Sequence, residues 1–249
     1  MDLPRSFTIR EANHRILNPL TAGKLATLGS AIRLRPGQTM VDLGSGKGEM
    51  LCTWARDHGI SGVGIDLSSV FTAAARARAE ELGVSDRVEF RHGDAHRFVP
   101  SVPEEQYDIG SCIGATDGVA ETIERLDRGL RPGGMLLIGE PYWHRDPPDE
   151  QTVAGCFAGT RDRFRVLPEL IGQFHTLGWD LVEMVLADGD GWDRYRAAQW
   201  LNIRTWLDAN PADPLAAELR AELHHDPVRY ARYERRYLGW GVFALMRSM

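Results

Sequence analysis

The chain has 249 residues, of which 43% are apolar and 26% charged, with a formal net charge of −6. This suits a single domain of ordinary size with some decoration, and the acidic balance argues against a nucleic-acid footprint, which is usually basic. No apolar run approaches the length that spans a bilayer, and Cys52, Cys112 and Cys156, odd in number and widely spaced, offer no metal spacing and point to a reduced, cytoplasmic protein.

Met1 to Asn18 has no apolar signal-like core, and Ile9 to Asn18 reads as one helix ending near Asn18-Pro19. Thr21 caps a helix running to about Arg33, and Pro36-Gly37 turns the chain into a first strand, Thr39 to Leu43. A helix over Glu49 to Arg56 and a strand over Gly62 to Asp66 follow. Ser68 or Ser69 caps a helix through Leu82 that Gly83 ends, and a third strand covers Val88 to Arg91. The fourth strand is Tyr107 to Ile113. After it come a helix over Val119 to Leu130, a turn at Arg131-Pro132-Gly133-Gly134, and a fifth strand, Met135 to Gly139.

Short strands alternating with helices of about ten residues indicate an α/β, doubly wound, Rossmann-like sheet. Beyond residue 140 the pattern loosens. Pro141 to Arg165 is loop-rich, with room for one short helix. Leu167 to Leu177 is helical, and Trp179 to Leu186 is a sixth strand. Trp192 to Asn210 and Leu215 to Tyr237 read as two helices, and Gly239 to Met246 as a last strand. The second of those helices carries Arg229, Arg232, Arg235 and Arg236 beside Tyr230, Tyr233 and Tyr237. With Asp226 and Glu234 among them, it reads as a solvated face.

The most informative string is Val41-Asp42-Leu43-Gly44-Ser45-Gly46-Lys47-Gly48, with Asp66 one strand-helix-strand unit later. A strand, a turn whose glycines let backbone approach a ligand, and a helix N-terminus make a nucleotide-type site. Asp66 at the next strand end can accept both hydroxyls of a ribose. The dinucleotide fingerprint fails because its third glycine position falls on Glu49, and the Walker pattern fails because Lys47 precedes Gly48.

The Asp-x-Gly-x-Gly-x-Gly form resembles motif I of class I S-adenosylmethionine (SAM)-dependent methyltransferases. Residues 36 to 140 are similar to that family's SAM-binding core, and Leu130 to Leu136 to its turn before strand five. Residues 179 to 249 are similar to its strand six, antiparallel strand seven and an insertion between them. The whole chain resembles a group of bacterial small-molecule methyltransferases. The resemblance implies one domain over 1–249: a helical cap at 1–35, the core at 36–140, and substrate-capping insertions at 141–178 and 188–237. The sheet should be mostly parallel with an antiparallel last strand.

The same resemblance implies roles for particular residues. Gly44, Ser45, Gly46 and Gly48 pass under the methionine part of SAM, and Asp42 holds the turn or the ammonium. Asp66 takes the ribose and Leu67 packs on the adenine. Asp94 accepts from the adenine amino group, with the Ala95 N–H reaching the ring, although Asp94 is equally placed to cap a helix. The backbone carbonyl of Cys112 receives the ammonium. Position, not the resemblance, makes Glu140 the candidate to bind the acceptor or take its proton, since it sits just past the fifth strand, where open α/β sheets bind ligands. The alternative for it is a structural carboxylate, and His14 in the cap is a second candidate base. Tyr142, Trp143, Trp192 and Tyr195 form walls; each is also plausible as core.

Methyl transfer needs alignment and dryness more than a fixed base. With no convincing His/Asp pair in sight, nitrogen is slightly preferred over oxygen as the target on a small, planar metabolite. A nucleic-acid amino-methyltransferase is disfavoured, because Ser111-Cys112-Ile113-Gly114-Ala115 stands where such enzymes carry Asn-Pro-Pro-Tyr. The expected partner is a small-molecule acceptor, with no nucleic acid, membrane or metal, in a monomer or homodimer. The alternatives are a non-catalytic SAM-binding protein and a dinucleotide-dependent oxidoreductase.

Overall fold

The computed structural model describes residues 2–98, 106–115 and 118–249. The apolar residues of Thr39–Leu43 form β1, which pairs in parallel with β2 (Ser61–Asp66) on one side. β3 (Val88–His92) lies outside β2, and β4 (Tyr107–Ile113) lies on the other side of β1. β5 (Leu130–Trp143) runs parallel to β4. β6 (Trp179–Leu186) forms the edge, and β7 (Leu238–Arg247) inserts between β5 and β6, antiparallel to both. The order is β3-β2-β1-β4-β5-β7-β6. It reverses between β1 and β4, and there a crevice opens beyond the strand C-termini.

Ten helices are present among the described residues. α1 (Arg5–Arg10) precedes α2 (Ala22–Ala31), which Thr21 caps by accepting from the Lys24 N–H. α3 (Glu49–His58) and α4 (Ser69–Glu81) complete one layer. Their Leu28, Leu51, Trp54 and Ala75 pack with Met40 and Val242 on one face of the sheet. α5 (Val119–Asp127), the short α6 (Glu150–Gly155) and α7 (Leu167–Thr176) follow, and Leu126 and Phe174 fill the other face against Ile138 and Phe243. Each fully buried side chain of this size contributes about 1.5–3 kcal/mol, so both faces anchor the strand ends firmly. α8 (Gly189–Ala209), α9 (Ala216–Arg232) and α10 (Glu234–Tyr237) form a separate helical layer with α1, around Ile9, Ile203 and Leu219.

Three boundaries and one helix face differ from the sequence reading. β5 continues to Trp143 because β7 pairs along it, Glu140 with Gly241 and Trp143 with Leu238. Glu140 therefore lies inside a strand, not past its end. The N-terminal helix is Arg5–Arg10 instead of 9–18, since the Lys47 ammonium takes the carbonyls of Glu11 and Ala12 that a longer helix would use. The expected helix over 215–237 breaks at Tyr233, where Glu234 turns inward to meet Arg229. Its arginine face is only partly solvated: Arg232, Arg235 and Arg236 are exposed, but Asp226, Tyr230 and Glu234 are buried.

Candidate cofactor and acceptor site

The glycine turn is pinned to β2. The N–H groups of Gly44 and Ser45 both donate to the Ile65 carbonyl, at 2.8 and 3.1 Å. Asp66, one residue on, uses both carboxylate oxygens on backbone. Oδ2 accepts from Gly46 N–H at 2.7 Å and Oδ1 from Ser68 N–H at 2.8 Å. Gly44 and Gly46 have φ of 72° and 54°, the left-handed region that only glycine enters freely. A side chain at Gly44 would collide with Ala115, and a Cβ at Gly46 would lie 2.9 Å from a Leu17 methyl. Gly48 then caps α3 in the same left-handed conformation.

Two joined hollows lie along this turn. The larger, about 350 Å³, is bounded by Asp66, Leu67, Phe71, Asp94 and Ala95. The smaller, about 60 Å³, runs from Asp42 and Ser45 past Lys47 to Arg15 and Ile16. Leu17, Gly44, Gly46 and Ile113 line both. Roomier hollows of about 560 and 430 Å³ lie by Gln38 and Asp108, and by Ser61 and Val88, at the N-terminal ends of the strands. Size alone therefore does not mark the site; convergent polar groups at the switch point do.

The electrostatics of the turn are unbalanced. Asp42 is 3% exposed and accepts from the Ser111 hydroxyl at 2.6 Å. Burial pushes its carboxyl up to about 7; the Ser111 bond pulls it down and the Asp66 charge adds to the rise. Burial also raises Asp66, against the two backbone N–H bonds. Lys47 does not neutralise either carboxylate. It is buried, its ammonium donates at 2.6 and 2.8 Å to the Glu11 and Ala12 carbonyls, and burial lowers its own pKa. Among the described residues no lysine or arginine pairs with Asp42 or Asp66, and two such carboxylates at one turn favour a ligand that brings positive charge.

The residues expected to touch the cofactor converge here. Asp42, Gly44, Ser45, Gly46, Asp66, Leu67, Asp94 and Ala95 all line one hollow or the other. Asp94 also caps the short turn Ala95–Arg97 by accepting from His96 N–H at 3.0 Å, so its capping and its position at the cavity coexist. Cys112 directs its side chain into the core, and burial raises its thiol to about 12.

The acceptor-side residues separate. Glu140 is 6% exposed and shares the sheet face of Ile138, whose register partner is Cys112. Tyr142, on that same face, is buried in the core and packs over Gly239. Trp143 is not at the crevice: it is buried with Val153, Cys156 and Phe164, and its indole donates to the Arg161 carbonyl at 2.8 Å. Trp192 packs beside Leu20, Leu25 and Trp240. Tyr195 and His14 belong to a buried polar group around Glu11: His14 Nε2 stands 3.1 Å from the Tyr195 carbonyl, and Nδ1 lies 3.1 Å from Glu11 Oε2 without hydrogen-bond geometry. Neither His14 nor Tyr195 lines either hollow.

Sequence reasoning missed Leu17, Phe71 and Glu11. Leu17 and Phe71 carried a signal, as apolar residues beside the glycine turn and at the start of the helix after Asp66. Glu11 carried none, since its partners are up to 188 residues away.

A family described as a methyltransferase domain matches residues 40–134. The chain is 56% identical to the uncharacterized protein YjhP of Escherichia coli over 99% of both chains. It is also similar to the crystal structure of a SAM-dependent methyltransferase from Geobacter sulfurreducens in complex with S-adenosyl-L-homocysteine. That likeness is 61% identity, 99% coverage of both chains and a TM-score of 0.96. A SAM-dependent methyltransferase from Thiobacillus denitrificans, in complex with the same molecule, gives 56% identity and a TM-score of 0.96, covering 99% of this chain and 100% of that one.

Proposed function

Since this chain belongs to the class I SAM-dependent methyltransferase family, we propose that it binds SAM along the glycine turn and moves its methyl group to a nitrogen or oxygen of a small, planar metabolite. The observation that carries the reading is the pair of joined hollows, each with a buried carboxylate, Asp66 in one and Asp42 in the other. Bound SAM supplies an activated methyl group on a positively charged sulfur. The larger hollow takes the adenosine. Asp66 has a second lone pair on each oxygen for the ribose hydroxyls, Leu67 packs against the adenine, and Asp94 with the Ala95 N–H reads its edge. Asp42 gives the amino-acid end its counter-charge.

The rest of the reaction is alignment and exclusion of water. The cap segment around Leu17 closes the crevice on one side. Glu140 is the carboxylate we assign to the acceptor, as a proton acceptor or an orienting group, with Trp192 as a wall. His14, which lines neither hollow, is not assigned proton transfer. Incubating the protein with metabolite extracts and methyl-labelled SAM, then reading the products by mass spectrometry, tests the proposal. Label in a flat, heteroatom-bearing small molecule is the expected result. Label found only in protein or nucleic acid would overturn it.

A further inference from the structure

Glu11 is fully buried, although it belongs to no strand or hollow of the site. A carboxylate tolerates that only when its oxygens are matched. Its Oε1 accepts from the Tyr195 hydroxyl at 3.0 Å and from Gln199 Nε2 at 2.6 Å, both on α8. Its Oε2 lies 3.1 Å from His14 Nδ1, close but without hydrogen-bond geometry. The His14 Nε2 stands 3.1 Å from the Tyr195 carbonyl, which can only accept. The backbone carbonyl of Glu11 takes the Lys47 ammonium at 2.6 Å. One residue thus holds the glycine turn through its main chain and α8 through its side chain.

What this pins is Leu17. The Leu17 carbonyl lies 3.2 Å from the Tyr195 hydroxyl, and its side chain lies against Gly46, where both hollows meet. Glu11, His14, Tyr195 and Gln199 line neither hollow. We infer that Glu11 is a positioning residue for the cofactor: it ties the glycine turn to α8 and thereby holds Leu17 over the junction of the two hollows. The inference rests on the SAM reading and deepens it, because the acceptor-side insertion and the cofactor turn then share one anchor.

The test measures release of S-adenosylhomocysteine from the whole protein by stopped flow. Binding to the wild type, checked first by calorimetry, stands or falls with the SAM reading alone. Glu11→Leu keeps the bulk and removes every side-chain hydrogen bond; release should speed up about tenfold, the equivalent of one charge-assisted bond. Glu11→Gln keeps an oxygen that accepts from Tyr195 and Gln199, so it should keep release within about twofold of wild type. Tyr195→Phe removes only the hydroxyl and should give about a threefold acceleration. A variant that melts earlier but releases the ligand at the wild-type rate would mean that Glu11 is merely structural. If Glu11→Leu does not fold, unchanged release in Tyr195→Phe overturns the inference by itself.

Discussion

Two buried aspartates, one in the sheet and one in the helical cap, face opposite surroundings. Asp226 on α9 is 6% exposed; burial works to raise its carboxyl, yet Arg196, the Trp200 indole and Arg229 bring it below the usual range. Asp42 on β1 is 3% exposed, accepts from a serine hydroxyl as its one side-chain partner among the described residues, and rises to about 7. The cap matches its charges internally and thereby fixes α8 against α9. The glycine turn leaves its charge unmatched, which is where a cationic ligand belongs. Structural and ligand-binding carboxylates are separated here by their partners, not by their depth.

Breaking the cap should give the largest effect. Arg196→Met leaves two buried carboxylates, Asp226 and Glu234, to share Arg229 alone among the arginines they meet. Removing one partner of a buried ion pair costs about 3–5 kcal/mol, to be read in denaturant unfolding. A loss under about 1 kcal/mol would place the pair among weak surface bridges. Next comes Asp66→Ala, which should weaken S-adenosylhomocysteine binding by about 2–4 kcal/mol. The loss now includes the turn itself, since Gly46 and Ser68 both donate to this carboxylate. Calorimetry on the folded variant decides it, and an unchanged dissociation constant would remove Asp66 from the site.

Glu140→Gln should lower kcat by about 10²-fold if Glu140 takes a proton; if it only orients the acceptor, the loss falls chiefly on KM. Steady-state kinetics with the identified acceptor separates the two. Wild-type kinetics would make the carboxylate structural. The smallest effect is on stability. A carboxyl raised in the folded state is stabilising when protonated, so the ligand-free protein should lose stability as pH rises from about 4 to above 7 on this group's account. Asp42→Asn should therefore gain about 1–2 kcal/mol at pH 8 and nothing near pH 4. Equal unfolding midpoints for variant and wild type at pH 8 would show that Asp42 carries no strain.

What the sequence disclosed follows the same division. The strand at Thr39–Leu43, the glycine turn and Asp66 are written in consecutive residues, and hydrophobic period and turn chemistry expose them. The antiparallel last strand was implied by the family resemblance, not by local pattern, and the strand order came only with the structure. The extension of β5 to Trp143 was not legible, because it depends on pairing with residues 238–241, far along the chain. That displacement moved Glu140 into a strand. The cap was least legible: Glu11 meets Gln199, and Arg196 meets Asp226, through polar contacts with no local period. An arginine-rich helix looks solvated until the carboxylates that bury it are seen.

The most direct measurement is a calorimetric titration of S-adenosylhomocysteine against wild type and Asp42→Asn from pH 5.5 to 8.5, with NAD as control. An ammonium against Asp42 favours its ionised form, so binding below about pH 7 must release the proton that burial keeps on the carboxyl. Wild-type affinity should rise about tenfold per pH unit at most up to pH 7 and then level off, with the rise absent in Asp42→Asn and NAD bound weakly or not at all. Binding of NAD alone, or an affinity for S-adenosylhomocysteine with the same pH dependence in both proteins, would contradict the assignment of the unmatched carboxylate to the cofactor.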